Sequence, residues 1–168
     1  MADDRYANAQ WGDSVAEDAA RDPRVDDPSL AEMAAGLRRL AERCPEFVTH
    51  DVVARSVGGN DLHLVEVTDR GVADDDKQVV FFFGAEHGNE HSATTSLLGL
   101  LDWLVTPEAE AIRRRQRVLV IPCVNPDGYD TFHFQNMNGV NLYADYTLDS
   151  EPTQPESHAV WEVITREQ

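Results

Sequence analysis

Apolar positions along the chain fall into two periods, and each marks a different kind of element. From Leu30 the residues Met33, Ala34, Leu37, Leu40 and Ala41 recur every three or four positions, the spacing that lines one face of a helix. Ser29 and Glu32 form a capping box at its start, and Pro45 lies just past its end, so a helix is expected over about Ser29 to Arg43. Two β-branched runs, Phe47 to Val57 and Leu62 to Val67, flank Gly58, Gly59 and Asn60. That triplet supplies the positive-φ positions of a hairpin turn, so the runs should pair antiparallel. Val79 to Phe83 and Val118 to Val124 are apolar on both faces, as central strands of a covered sheet must be. Between them Ala93, Leu97, Leu98, Leu100, Leu101 and Leu104 predict an amphipathic helix, and Thr106-Pro107 opens another with an Arg-rich end. A last helix is expected at about Pro155 to Thr165. Strands alternating with helices around an apolar sheet make an α/β fold.

Residues 1–28 break this pattern: among Asp, Ala and Arg they offer only Tyr6, Trp11 and Val15 as apolar anchors, with Pro23 and Pro28. They read as an acidic, flexible N-terminal tail, and one domain is expected over residues 29–168. Across 168 residues, 42% hydrophobic and 27% charged side chains suffice for a core. Fourteen basic against 31 acidic groups give a formal charge of −17. Such a surface repels phosphate, which excludes nucleic acid and anionic membrane as partners. No apolar run approaches the roughly 20 residues of a membrane span, and the first residues lack the basic and apolar regions of a signal peptide; a cytoplasmic protein is expected. Lys77 is the sole lysine, a composition that resembles acidic, lysine-poor proteins of salt-loving archaea. Cys44 and Cys123 fit neither a disulfide framework nor a Cys-x-x-Cys motif, so both should be reduced thiols.

The chemistry concentrates where the first apolar strand gives way to a helix, at Gly84-Ala85-Glu86-His87-Gly88-Asn89-Glu90-His91. His87 and Glu90 are three apart, so near a helix start they project from one side, and an imidazole nitrogen with a carboxylate oxygen is a normal zinc pair. Catalytic zinc generally takes three protein ligands, so a third must come from elsewhere. The second apolar strand runs into Asn125-Pro126-Asp127-Gly128. Two loops leaving one edge of an α/β sheet form a cleft, which is where such sheets build their sites.

Taken in order, the hairpin turn at Ser56 to Leu62, the strand into His87-Gly88-Asn89-Glu90, the helix, the strand into Asn125 to Gly128, and then Gly139-Val140-Asn141-Leu142 resemble the zinc carboxypeptidase family over roughly residues 29 to 165. The resemblance implies a mixed sheet flanked by helices, one Zn2+ held by His87 and Glu90 at the sheet's carboxyl edge, and cleavage of a peptide by metal-activated water. The succinylglutamate desuccinylase and aspartoacylase group, more distantly related, shares the His-Gly-Asn-Glu motif and implies a small acyl-amide substrate instead. The carboxypeptidase resemblance further implies a third zinc ligand and a general-base glutamate beyond Gln168, so the chain reads as the N-terminal portion of a longer fold, completed by a downstream segment. Asn89, His133, Asn141 and Tyr143 are the candidate substrate-binding residues. Two departures qualify the resemblance. Tyr143 and Ala144 stand where the family carries the Asn-Arg pair that grips a terminal carboxylate, and the next arginine after Arg117 is Arg166. Without the third zinc ligand and the general base, a catalytically inactive fragment or binding module is the alternative. His87, Glu90 and His91 also match the inverted zincin motif, which needs a continuous helix; the apolar strand and Gly88 argue instead for His91 at a helix start. His50, His63 and His158 are expected to be structural.

Overall fold

The chain starts its first helix where the capping box predicts. In the computed structural model, which describes residues 27–147 and 149–167, the Ser29 hydroxyl accepts from the Glu32 N–H while the Glu32 carboxylate accepts from the Ser29 N–H. Helix α1 spans Leu30–Arg43 and buries Met33, Leu37 and Leu40. Strands β1 (Val48–Arg55) and β2 (Asp61–Val67) pair antiparallel. Gly59 at φ 88° turns the chain between them, a conformation that only glycine adopts without steric cost. Next come β3 (Gln78–Phe83), α2 (His91–Leu104), a short α3 (Glu110–Arg113), β4 (Gln116–Ile121), α4 (Pro126–Thr131) and α5 (Pro155–Arg166). The sheet order is β1-β2-β4-β3, with β4 antiparallel to β2 and parallel to β3. This is the expected mixed sheet.

Period-two alternation on β4 divides the core. Val118 and Val120 pack with α1 and α2 through Leu37, Leu40, Leu101 and Leu104, whereas Leu119 and Ile121 pack with Val160 and Val163 of α5. Helices therefore cover both sheet faces, each fully buried aliphatic side chain contributing roughly 1.5–3 kcal/mol. Where α2 ends, the buried Arg113 guanidinium donates to the carbonyls of Leu104 and Thr106 and lies 4.2 Å over the Phe47 ring. It satisfies carbonyls that a helix terminus leaves without partners.

Three expectations are corrected. Strand β3, read as central from its apolar run, pairs only with β4 among the described residues, and Phe82 and Phe83 remain 41% and 38% exposed; apolarity reports side-chain faces, not how many neighbours a backbone has. The strand expected through Val124 ends at Ile121, because residues 122–125 bend to bond the loop after β3. The helix after Thr106 is a 3-10 turn at Pro107–Ala109 followed by the four-residue α3. The tail lies outside the described residues up to position 26, but Asp27 is buried and accepts from the Thr95 hydroxyl.

Candidate functional site

Two loops are zipped together at the carboxyl ends of β3 and β4. Past the last strand pair, the Gly84 N–H donates to the Ile121 carbonyl, the Val124 N–H to Gly84, and the Asn125 N–H to Ala85. Ala85 sits at φ 50°, a left-handed conformation that costs a residue with a Cβ about 1–2 kcal/mol, at the point where the chain turns out of the strand. Three positions later, a Cβ on Gly88 would collide with the backbone of Gly128 and Tyr129. Glycine is required there by close approach, so the loop carrying His87 rests on the start of α4. Asn125 caps that helix through Gly128 N–H and donates to the Glu86 carbonyl, joining the loops by a side chain as well.

His87 and Glu90 come together there. His87 Nδ1 lies 3.1 Å from Glu90 Oε1, and His87 Nε2 lies 3.1 Å from Asn141 Oδ1. The same Asn141 oxygen accepts from the Tyr143 N–H. Since a backbone N–H can only donate, that atom is an acceptor, and His87 Nε2 must carry hydrogen. Nδ1 then faces a carboxylate, and two lone-pair atoms at this separation need a cation between them, either a proton on Nδ1 or a metal ion. Bonds of about 2.1 Å to nitrogen and oxygen spanning 3.1 Å subtend an angle of about 95° at the ion. One ion can therefore bridge the two atoms. Phe134 stacks on the imidazole at 3.8 Å and 18°, shielding one face of it. Glu90 occupies the N-cap position of α2 but makes no capping hydrogen bond, which leaves its exposed carboxylate available.

Beside this pair the Glu86 carboxylate and the Tyr146 hydroxyl face each other, and Asn89 Oδ1 is buried without a hydrogen bond among the described residues. Orphaned groups of this kind cost about 1–3 kcal/mol each and call for an explanation such as an unseen ion or ligand. Burial raises the Glu86 carboxyl above its ordinary range, with Tyr146 and His87 opposing and Glu90 reinforcing the shift. Burial and the facing Glu86 carboxylate likewise push the Tyr146 phenol up. No three His, Cys, Asp or Glu side chains among the described residues converge to hold a metal ion. What they form is a two-ligand half-site.

The other sequence candidates separate. Asn141 touches His87 directly; Tyr143 reaches the site by its backbone, its side chain being 70% exposed. His133 bonds the Thr131 carbonyl and lines a neighbouring hollow with Asp127, Asn136 and Met137. His91 is neither a surface residue nor a metal candidate: it is buried, its Nδ1 3.1 Å from Asp27 and its Nε2 3.1 Å from the Tyr129 carbonyl, and it stacks on the Tyr129 ring. Because α2 begins at His91, His87 lies outside the helix and the inverted zincin arrangement is excluded. Glu86, Phe134 and Tyr146 escaped the sequence reading. Glu86 alone left a signal there, as a carboxylate between an apolar strand end and a histidine.

Comparison with known proteins identifies the family. The family model for zinc carboxypeptidase matches residues 33–160. Carboxypeptidase D of Mus musculus is 29% identical over 148 residues, covering 77% of this chain and 11% of its own length. Carboxypeptidase Z of Homo sapiens is 30% identical over 109 residues, 61% of this chain and 17% of that protein. Among solved structures, carboxypeptidase A from Helicoverpa armigera superposes with a TM-score of 0.70 at 22% identity, over 83% of this chain and 42% of the other. The chain thus spans between about a tenth and a sixth of these relatives and under half of that solved chain.

Proposed function

This chain belongs to the zinc carboxypeptidase family, and from that membership we propose that His87 and Glu90 hold a zinc ion used to cleave the C–N bond of a peptide or small acyl amide. The observation that carries the proposal is the 3.1 Å approach of His87 Nδ1 to the Glu90 carboxylate while Nε2 is committed to Asn141. Zinc, when bound, supplies Lewis-acid polarisation and lowers the pKa of water toward 7. Asn141 fixes the ring and its tautomer, the arrangement in which a metal-binding histidine donates its other N–H to an acceptor. Phe134 keeps water off one ring face. The remaining ligand and the general base are proposed to come from polypeptide outside the described residues.

Substrate selection follows from what surrounds the half-site. Between Arg117 and Arg166 the chain carries no lysine or arginine, while Glu86, Asp130, Asp145 and Asp149 lie in that stretch or beside His87. A free carboxylate is best gripped by a guanidinium fork, so these residues do not select one. A second reading, a zinc- or peptide-binding module without turnover, is favoured by the lack of a third donor among the described residues. Chelator competition on the 168-residue chain tests the ligand assignment: weak zinc binding lost in both His87→Ala and Glu90→Ala is expected, and tight binding that survives either substitution overturns it. Zinc-dependent hydrolysis by the same preparation would exclude the second reading.

A further inference from the structure

Away from this site, the β1–β2 hairpin carries two histidines that the proposed chemistry does not use. His50 stands opposite Val65 and His63 opposite Val52, so the histidines are diagonal neighbours on the sheet face turned toward α1. His63 is 7% exposed and His50 half-buried. His50 Nε2 lies 3.0 Å from His63 Nδ1, with ring centroids 5.0 Å apart and a 38° tilt. One ring donates its hydrogen and the other accepts it, which requires at least one to be neutral.

We propose that this pair is a cross-strand binding site for a divalent transition metal such as nickel or copper. Two nitrogens bound at about 2.1 Å lie about 3.0 Å apart when the angle at the metal is a right angle, and about 3.4 Å apart in a tetrahedron. The observed 3.0 Å matches the right angle, the geometry of tetragonal copper(II) and nickel(II) sites with nitrogen and oxygen ligands. Binding needs only that the donating ring move its hydrogen to its other nitrogen, so the hydrogen-bonded contact becomes a chelate with no net proton change. Burial holds both imidazoles below the ordinary histidine range, which keeps them in the neutral, ligating form. Asp51 and Asp61 add negative potential, whereas Arg38 of α1 opposes a cation. Water completes the shell on the half-exposed His50 side.

The experiment is calorimetric titration of nickel(II) into the full chain carrying His87→Ala, which removes the proposed zinc ligand, together with nuclear magnetic resonance of the imidazole protons. One ion per chain is expected, with paramagnetic broadening confined to His50 and His63. Affinity should fall at least tenfold in His50→Gln and rise several-fold in Arg38→Ala. Unchanged affinity in His50→Gln overturns the site. So does an absence of broadening at His50 and His63, a result that needs no hairpin variant to fold.

Discussion

Asn141 decides which nitrogen of His87 is free to bind a metal, because its oxygen is fixed as an acceptor by the Tyr143 N–H. Its replacement should therefore act on metal affinity and not on the fold. Asn141→Ala is expected to weaken zinc binding roughly 10- to 100-fold, the range for losing the partner of a ligating histidine, and Asn141→Asp to retain it. Chelator competition measures both; equal affinity in the alanine variant would show that the ring is oriented by Phe134 alone. The His87 and Glu90 pair was legible in sequence because its spacing is local. Asn141, 54 positions further on, was visible only as part of a family stretch, with no sign of what it touched. His50 and His63 illustrate the same limit, since each read as an isolated hairpin histidine. Both titrate below 6.5 in the folded chain, for His50 through burial and then Arg38, for His63 through burial and then His50. A depressed pKa contributes stability that is complete above the unfolded value near 6.5 and is lost as pH falls through the folded value. The urea midpoint should thus drop on going from pH 7.5 to mildly acidic conditions, and less so in His50→Gln. A flat profile across that window would contradict the assignment.

At the scale of elements, the β1–β2 turn is held from far along the chain. Asp127 of α4 accepts from the Ser56 hydroxyl at 2.7 Å, the Gly58 N–H at 2.8 Å and the Asn60 amide at 2.8 Å. Glu156 of α5 accepts from the Val57 N–H at 3.0 Å and from the Asn136 amide at 3.1 Å, and is 0% exposed. Asn136 in turn accepts the N–H groups of Asn138 and Val140, shaping the loop that presents Phe134 and leads to Asn141. One buried carboxylate therefore couples the hairpin, α5 and the loop behind the metal pair. Glu156→Ala removes the acceptor of the part-buried Val57 N–H and one of the two acceptors of the Asn136 amide, which also donates to Gln154; at about 1–3 kcal/mol for a lost buried bond, a loss of about 2 kcal/mol in urea-monitored stability is expected. Glu156→Gln should cost less, since one oxygen remains to accept. A change under about 1 kcal/mol for the alanine variant would mean that water replaces the carboxylate. The sequence made the helix cap and the hairpin turn readable, because both are decided within a few residues. It could not show that Gly58 sits against Asp127, nor that β3 pairs only with β4 among the described residues, since both depend on which distant segments meet.

Charge governs the molecule as a whole. With a formal charge of −17, self-repulsion opposes the compact state and salt should relieve it. The lone lysine offsets a single surface acid and is itself enclosed: Lys77 is 8% exposed, its ammonium donating to the Thr68 hydroxyl at 2.8 Å, the Asp69 carbonyl at 2.6 Å and the Asp74 carboxylate at 2.9 Å. Composition revealed how scarce lysine is, but not that the single copy is enclosed by a loop with all three donors used. That enclosure makes Lys77 a reporter of opening. Acylation requires a free, neutral amine, so an amine-reactive ester can modify Lys77 only when the loop or the whole fold opens, at a rate set by the population of the open form. Raising sodium chloride from about 0.1 M to about 2 M shortens the Debye length from about 10 Å to well under 3 Å and should stabilise the closed state of so acidic a chain. Mass spectrometry is then expected to show Lys77 acylation slowing severalfold with salt, relative to a lysine-containing reference peptide in the same tube. Acylation as fast as that of the peptide at either salt concentration would show that the three-donor enclosure of Lys77 is not kept in solution.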